Sequence, residues 1–356
     1  MRGLSRRTLG ATAAAGLVLV ALVVAALAIP RPKSTATAVR SPASSSSSTP
    51  GQPTPSPSLT PTPASTATPK PIATVAPRST SAPVVVRPTA TRPPVAVATG
   101  CIASPHRCGF PDATNTGVPA GTALTAWAGG TITAANTVIS ARDITGQVTI
   151  AAPGVVIKNS RLHIASGSYD VLVRSGSVVI QDSELYGNPD GAAIAFDNWT
   201  GIRLNIHNFP DDGVKLGSNV RLQDSYIHDF ATSPGAHADG GQMQGGEVNL
   251  TIRHNTIMAR SLTGTSTNAG LFIAPDLGPS TNGPVTIDNN LLGGGNYAVY
   301  IVDGNNGQYF VRNIALTNNR FVRNSYQYGA ADINVAVSRS GNVWDDTGQL
   351  FTPGGG

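Results

Sequence analysis

Acidic residues recur at Asp-Gly steps in the stretch from Asn188 to Gly245, which holds the densest candidate chemistry of the sequence. The spacings between the steps, 22 and 27 residues, fit one step per turn of a repeating structure. Coils aligned on these steps would stack the carboxylates about one strand spacing, ~4.8 Å, apart. The steps are Asp190-Gly191, Asp212-Gly213 and Asp239-Gly240, with Asp211 beside the second and His237 shortly before the third.

Carboxylates stacked this closely favour acid–base chemistry. They cannot all stay ionised at low cost, so at least one pKa should rise unless a cation compensates. One protonated and one ionised carboxyl group are what glycoside hydrolysis requires. The leading enzymatic hypothesis is therefore a glycoside hydrolase that needs no cofactor, with catalytic candidates Asp190, Asp211, Asp212 and His237.

A second column follows the Asp-Gly steps and predicts a substrate-binding strip. Two residues beyond each glycine lie Ala193, Lys215 and Gln242, and we expect Phe272 and Tyr300 of later coils to continue the column. Trp199 could wall one side. Aromatic faces beside carboxylates suit sugar rings, which have apolar C–H faces and polar rims. The predicted substrate-binding residues are Lys215, Asp239, Gln242, Trp199, Phe272 and Tyr300.

Two other hypotheses use the same residues. In a Ca²⁺-dependent polysaccharide lyase, Asp190, Asp212 and Asp239 would bind the metal, because Ca²⁺ prefers several carboxylate oxygens. Lys215 or His237 would then remove a proton from the sugar. In a non-catalytic surface module, the Asp-Gly steps would only form turns, since Asp-Gly is common turn chemistry.

The sequence predicts an all-β fold, a single-stranded right-handed parallel β-helix. One phrase recurs, a short strand, a polar turn and a second short strand, and its apolar residues alternate with period two, which excludes helical repeats. We expect about eight coils from Gly146 to Phe351, with inward columns that include Val214, Leu216, Met243, Val299 and Ile301. Turn residues should stack into a side-chain ladder, and the region before Gln147 and the tail after Trp344 should cap the ends. The predicted ladder residues are Asn159, Asp182, Asp224, His254, Asn289 and Asn318.

The first 99 residues differ from the rest of the chain. Residues 1–30 carry an Arg pair and an apolar run, and predict a signal peptide or a membrane anchor. Residues 31–99, rich in Pro, Ser and Thr, predict a disordered linker, and residues 100–356 the β-helix domain. Cys101 and Cys108 should pair in an exported protein. We therefore expect an extracellular protein, secreted or anchored to the cell surface.

The positive net charge of the chain, +5, belongs to its first 99 residues. They contain ten Lys or Arg and no Asp or Glu, which leaves 14 basic against 19 acidic residues in the predicted domain. A net charge of −5 there gives no basic footprint for nucleic acid. The expected partner is an extracellular polysaccharide or cell-wall glycan, with membrane contact only through the N-terminal apolar segment and the domain a monomer.

Both ends of the predicted domain resemble a known family. The motifs are CGFPDATNTGVPAGTALT at the start, the repeated NS, DS and HN turns, and GNVWDDTGQ at the close. They are similar to those of exported actinobacterial proteins of the pectate-lyase-like β-helix superfamily. The resemblance implies the fold and export, and it implies less about activity.

The order of the acidic motifs is also similar to that of polygalacturonases. Asn188-Pro189-Asp190 stands at the first motif of that family, Asp211-Asp212 matches the second and His237 lies near the third. By this resemblance Asp211 would be the general acid, Asp190 and Asp212 would activate water, and His237 would tune the acid. The Arg-Ile-Lys element that would hold a uronate is missing, so galacturonan is not implied.

Overall fold

The structure, a computed structural model, describes residues 100–187 and 190–354. The predicted signal or anchor (1–30) and the linker (31–99) lie outside the described residues, as do Asn188 and Pro189. None of the helical turns in the described part has the length and apolarity of a membrane span.

Short parallel strands make up most of the described part, together with short 3₁₀ turns at Cys101–Ala103, Pro105–Cys108 and Asn305–Gly307. The strands, numbered in chain order, are β1 Thr125–Trp127, β2 Gly130–Ile132, β3 Val138–Ser140, β4 Arg142–Ile144, β5 Val148–Lys158, β6 Arg161–Leu162, β7 Tyr169–Gln181, β8 Glu184–Tyr186, β9 Ala192–Ala195, β10 Trp199–Ile202, β11 Asn205–His207, β12 Val214–Leu216, β13 Arg221–Gln223, β14 Tyr226–Phe230, β15 Asp239–Met243, β16 Leu250–Arg253, β17 Thr256–Ser261, β18 Ala269–Ile273, β19 Val285–Asp288, β20 Leu291–Gly294, β21 Tyr297–Ile301, β22 Ile314–Thr317, β23 Arg320–Phe321, β24 Gly329–Ile333, β25 Val337–Ser340 and β26 Val343–Trp344.

The strands stack into three faces of a parallel β-helix, as predicted. The back sheet has the order β1-β4-β6-β8-β11-β14-β17-β20-β23-β26. The second sheet has a front face, β7-β9-β12-β15-β18-β21-β24, and a side face, β7-β10-β13-β16-β19-β22-β25. The long strands β5 and β7 pair along both faces. From Val148 onward eight strands stack on the front face, β5, β7, β9, β12, β15, β18, β21 and β24, which agrees with the eight expected coils.

The core runs as apolar columns through the coils. Leu216 pairs with Met243, and Val214 lies between Ile194 and Gly241. The five residues predicted for these columns are all buried, at most 1% exposed: Val214, Leu216, Met243, Val299 and Ile301. Each large side chain buried in this way stabilises the fold by about 1.5–3 kcal/mol relative to an exposed one.

Most of the side-chain ladder lies one residue later than predicted, although two of the predicted residues on adjacent coils are hydrogen-bonded, with His254 Nδ1 2.6 Å from Asp224 Oδ1. The expected residues adopt the left-handed conformation, with φ from 49° at Asp182 to 56° at Asn318, which Asn, Asp and His tolerate better than most residues. They turn the corner between the side face and the back sheet. The following residue is buried and bonds to the next coil, as where Asn255 N donates to Asn290 Oδ1 (2.9 Å) and Asn290 N to Asn319 Oδ1 (2.9 Å).

Residues 100–117, here called the strap, lie along the back sheet. Cys101 and Cys108 form a disulfide. The backbone N–H groups of Cys101 and Ile102 donate to the Asp345 carboxylate (both 3.0 Å), and Gly117 N donates to Arg203 O (2.9 Å). The region before Gln147 was predicted to cap the start of the domain. Its strands β2 and β3 do pair with β5 there, whereas the strap reaches the C-terminal coil.

The C-terminal tail closes the core as expected. The Phe351 ring lies 4.0 Å from the Trp344 ring and 5.2 Å from the Phe321 ring, centroid to centroid. The apolar end of the last coil is therefore covered by the tail.

Candidate functional site

A row of side chains in register crosses five strands of the front face. Lys215 of β12 pairs with Gln242 of β15, Gln242 with Phe272 of β18, Phe272 with Tyr300 of β21, and Tyr300 with Asp332 of β24. We call these five residues the front row. Four of them stand in the column that the sequence predicts, and Asp332 extends it by one coil.

The alignment expected for Asp190 and Ala193 is wrong by two residues. Val214 pairs with Ile194, so Asp212 lies opposite Ala192 and Gly213 opposite Ala193. Ala193 is fully buried rather than outward. Asp239 does lie opposite the Asp212 position, because Val214 also pairs with Gly241. The stack of three carboxylates is therefore a stack of two, and Asp190 precedes it in an exposed segment.

The glycines of all three Asp-Gly steps pack closely against a neighbouring coil, and only Gly191 also has a left-handed backbone. A Cβ atom on Gly213 would lie 2.4 Å from Gly240 O, and one on Gly240 would lie 2.4 Å from Gly270 O. Gly191 has φ +94°, whereas Gly213 and Gly240 are not in the left-handed region. This difference in backbone role explains why the Asp-Gly steps do not align.

Asp212 and Asp239 form a buried, hydrogen-bonded pair. Both residues have 0% exposure. Asp212 Oδ1 accepts from Asp239 N (2.8 Å), and Asp212 Oδ2 accepts from Lys215 Nζ. Asp239 accepts from Asn268 Nδ2 (3.0 Å) and Gln242 Nε2 (3.2 Å), while Lys215 Nζ also donates to Gln242 Oε1 (2.6 Å). These bonds fix the first two side chains of the front row.

The two buried carboxyl groups titrate at higher pH than usual. Burial, together with the nearby Asp211 carboxylate, raises the pKa of Asp212 to about 6, against the opposing charge of Lys215. Burial, followed by the charge of Asp212, raises the pKa of Asp239 well above its usual value. The physical cause is the loss of hydration of the charged form, only partly replaced by one ammonium group.

Asp190 and Asp211 lie nearer the surface, around the phenol of Tyr169. Burial raises the pKa of Tyr169, Lys215 opposes the shift, and the charges of Asp212, Asp190 and Asp211 add to it. Ser168 Oγ also donates to Asp190 Oδ2 (3.4 Å). No sequence pattern marked Tyr169 apart from its place one coil before Asp190.

Trp199 does not line a binding site. It begins β10, has 0% exposure and belongs to the core. Its indole Nε1 donates to the carbonyl oxygens of Phe196 (3.2 Å) and Lys215 (3.3 Å). The sequence analysis assigned Trp199 to one side of a substrate-binding strip, whereas its ring is part of the core.

An open cleft of about 650 Å³ lies over the front face at β15, β18, β21 and β24. Of the predicted site residues it is lined by His237, Gln242, Phe272 and Tyr300, whereas Asp190, Asp211, Asp212, Asp239, Lys215 and Trp199 are not among its lining residues. Its other lining residues are Asn268, Asp276, Val302, Asp303, Asn306, Gly307, Asp332 and Asn334. The cleft is thus displaced along the helix from the acidic stretch that the sequence emphasises.

The cleft has a negative lining. Asp276, Asp303 and Asp332 contribute carboxylates, and none of its described lining residues is Lys or Arg. Arg312 lies nearby but donates to Asp303 Oδ1 (2.8 Å). Burial would raise the pKa of Asp303, yet the hydrogen bonds from Arg312 and Val311 outweigh it and lower the pKa. This carboxylate therefore stays ionised in the neutral range.

The family model described as a right-handed beta helix region matches residues 144–342. The chain belongs to the right-handed β-helix family. The match covers all the front-row strands and gives the handedness of the coils. No curated protein and no solved structure matches this β-helix protein.

The three carboxylates predicted to bind Ca²⁺ do not stack in register in this β-helix protein. The described residues hold no group of three or more His, Cys, Asp or Glu side chains able to bind a metal. In the predicted Ca²⁺ set, Asp212 and Asp239 already accept from Lys215, Gln242 and Asn268, and Asp190 is two positions out of register.

Several site residues escaped the sequence analysis. Asp332, Asp303 and Asp276 lie in later coils, outside the stretch from Asn188 to Gly245. Asp303 is itself followed by a glycine, Gly304, and this fourth Asp-Gly step was the signal that could have marked it. Asp332 could have been found by aligning GAADI with NYAVYI, because both segments carry small or β-branched residues at the inward positions. Asp276 and Asp303 lie in loops after their strands, and only the three-dimensional stack brings them to the cleft.

Proposed function

We propose that this β-helix protein binds an extracellular polysaccharide in the front-face cleft. The observation that carries the proposal is the front row, in which Phe272 and Tyr300 stand in register and line one cleft. Their ring centroids lie 5.6 Å apart. A glycan chain lying along the helix axis would place its sugar faces over these rings.

The spacing of the coils supports a polymer over a single small ligand. Strands of a sheet lie ~4.8 Å apart, a distance comparable to the size of one sugar ring. Adjacent positions of the front row can therefore meet successive sugars. Gln242 and Asn268 at one end, and Asp332 and Asn334 at the other, offer hydrogen-bonding groups for hydroxyls.

Sequence features typical of export also support an extracellular partner. The Arg pair, the apolar run and the Pro/Ser/Thr-rich linker of the first 99 residues are typical of a protein carried to the cell surface. The disulfide between Cys101 and Cys108 is suited to an oxidising compartment. A domain on such a linker would meet cell-wall or environmental glycans.

Affinity electrophoresis of the full chain through gels that contain soluble polysaccharides tests the proposal. We expect at least one polymer to retard the protein, and Phe272→Ala with Tyr300→Ala to weaken the retardation by about ten-fold, since each stacked ring is worth about 0.5–1.5 kcal/mol. Leu350→Ala, at a side chain 81% exposed and outside the cleft lining, is the control. Unchanged retardation in the double variant would contradict the proposal.

Hydrolysis of the bound glycan is the second candidate function. The supporting observation is that Asp303, Asp332 and His237 line the cleft that holds the aromatic rings. Two carboxyl groups on opposite sides of a glycosidic bond are the usual requirement. Asp212 and Asp239, fully buried, could act only by positioning Lys215 and Gln242. The accessible carboxyl groups of the hypothesis drawn from the sequence are then Asp190 and Asp211, of which Asp211 is the predicted general acid.

Release of reducing ends from a retarding polymer distinguishes binding from turnover. A hydrolase predicts release that Asp303→Asn or Asp332→Asn abolishes, and loss in Asp211→Asn would favour the original site instead. A lyase predicts unsaturated products that absorb in the ultraviolet and an activity lost with chelator. If neither signal appears while binding persists, the protein is a glycan-binding module.

A further inference from the structure

A chain of four aromatic rings extends beyond the cleft. Phe272 and Tyr300 lie inside it. The Tyr297 ring meets the Tyr300 ring edge to face, with centroids 4.8 Å apart, and the Tyr328 ring lies 5.9 Å from that of Tyr297. Tyr297 and Tyr328 are not among the lining residues of the cleft, so the aromatic surface is larger than the cleft itself.

Tyr328 is an unusual side chain for a surface. It is 66% exposed, whereas most aromatic residues of the described part are buried or half-buried. Its backbone is held in place, because Tyr328 N donates to Asn296 O (2.8 Å) and Gln327 N to Gly295 O (2.9 Å). An exposed ring on an anchored backbone is prepared for contact at low entropic cost.

Tyr297 joins the exposed ring to the cleft. It begins β21 and pairs with Gly329 of β24. A Cβ atom on Gly329 would lie 3.1 Å from the Tyr297 ring, so the glycine leaves room for the ring to lie over the backbone of β24. This position puts the ring between Tyr300 and Tyr328.

Charge limits what this surface can hold. A uronate chain would bring one carboxylate per sugar to a cleft that already contains Asp276, Asp303 and Asp332. The nearby Arg312 is bound to Asp303, and Lys215 is bound to Asp212 and Gln242. Like charges without a counterion oppose binding, whereas hydroxyl groups can donate to these carboxylates.

We propose that Tyr297 and Tyr328 form a further sugar-stacking position beside the cleft, and that the front face selects an uncharged glycan chain over a uronate polymer. The inference rests on the proposed function. It names the ligand class, and it adds two residues that lie outside the cleft. The sugar chain would pass from Phe272 and Tyr300 onto Tyr297 and Tyr328.

Affinity electrophoresis of the full chain with matched polymers tests the inference. The probes are soluble β-glucan, galactan and mannan, each beside its C6-oxidised polyuronate form, and polygalacturonate. We expect retardation by at least one uncharged polymer and at least ten-fold weaker retardation by its oxidised form. The difference should shrink as salt rises, because salt screens the repulsion.

Ring variants test the added position. Tyr328→Ala should weaken binding by about three- to ten-fold, Tyr328→Phe should keep it, and Tyr297→Ala should weaken it at least as much as Tyr328→Ala. The control is Tyr186→Ala, at a back-sheet ring stacked between His163 and His207. Thermal unfolding of each variant checks that the fold survives.

The outcomes separate this inference from the proposed function. Retardation by no polymer, charged or uncharged, overturns both. Retardation that Phe272→Ala weakens but Tyr328→Ala leaves unchanged overturns the stacking position alone. Equal or stronger retardation by an oxidised polymer overturns the selection of uncharged glycans while leaving glycan binding intact.

Discussion

Replacement of Lys215 by Met should destabilise the protein in a manner that depends on pH. Lys215 is 8% exposed, and its ammonium group bonds to Asp212 and Gln242. Met keeps most of the side-chain volume and removes the charge. The substitution leaves Asp212 and Asp239 as two buried carboxyl groups without a cation bonded to them.

The magnitude follows from the titration of Asp212. In the native protein its pKa is about 6, with Lys215 as the largest influence that lowers it. Without Lys215 the pKa rises further, so the folded variant keeps a proton that the unfolded chain, with a pKa near 3.8, has released. Between about pH 6 and its own raised pKa the variant thus loses about 1.4 kcal/mol of stability per pH unit relative to the native protein.

At pH 5 the loss should be small, about 1–2 kcal/mol, because Asp212, with a pKa of about 6, is largely protonated and only hydrogen bonds and packing are lost. At pH 8, two units above the native pKa, it should reach about 4 kcal/mol, the range for a broken buried ion pair. Urea denaturation at the two pH values measures both losses, provided that the slope with denaturant is unchanged.

The double variant Lys215→Met, Asp212→Asn is the matched control. It removes both charges and the titration of Asp212, so its stability relative to the native protein should not fall between pH 5 and pH 8. An equal loss for Lys215→Met at both pH values, or a larger loss at pH 5, would refute the assignment of Lys215 as the counterion of Asp212.

Two further predictions concern the coils themselves. Gly240→Ala should lower the free energy of unfolding by about 1–3 kcal/mol, because the new Cβ would lie 2.4 Å from Gly270 O and 2.5 Å from Ile257 Cγ2. The control, Gly264→Ala, should lower it less, since nothing lies within 4 Å of its new Cβ and only the φ of +81° is unfavourable. Thermal unfolding of the two variants measures the difference. Asn290→Ala should lower the free energy of unfolding by about 2–4 kcal/mol, because the buried Asn255 N loses its hydrogen-bond acceptor. Hydrogen exchange should show that the amide of Asn255 loses protection before the amides of distant coils. Unchanged protection of the Asn255 amide in the variant would contradict the role of Asn290 in the ladder.

The recurring strand–turn–strand phrase predicted the fold because β-helix packing acts coil by coil. Each coil repeats the same alternation of inward and outward side chains, so Val214 and Ile301 could be assigned to core columns from sequence alone. The ladder was misplaced by one residue because Asn and Asp suit both the left-handed corner and the buried position after it. Sequence shows that the two roles are present and does not show which residue takes which.

The candidate site was predicted only in part. Lys215, Gln242, Phe272 and Tyr300 follow from counting along strands, whereas Asp190 was aligned on a dipeptide whose glycine has a different conformation in that coil. Trp199 was wrongly predicted to contact substrate, because its burial depends on packing against neighbouring coils that the local sequence does not show. The acidic cleft residues that lie in loops, such as Asp303, depend on loop paths that a periodic pattern does not encode.

The strap connects coils of the β-helix that are not neighbours. Coils of a solenoid contact only their neighbours, so the last coil would ordinarily fray by itself. Here Asp345 in that coil holds the start of the strap, and Gly117 at the other end holds the coil of Arg203. Unfolding of the final coil therefore also disrupts contacts that the strap makes several coils away. A force applied at residue 100 is distributed along the back sheet and does not act on the terminal strand alone.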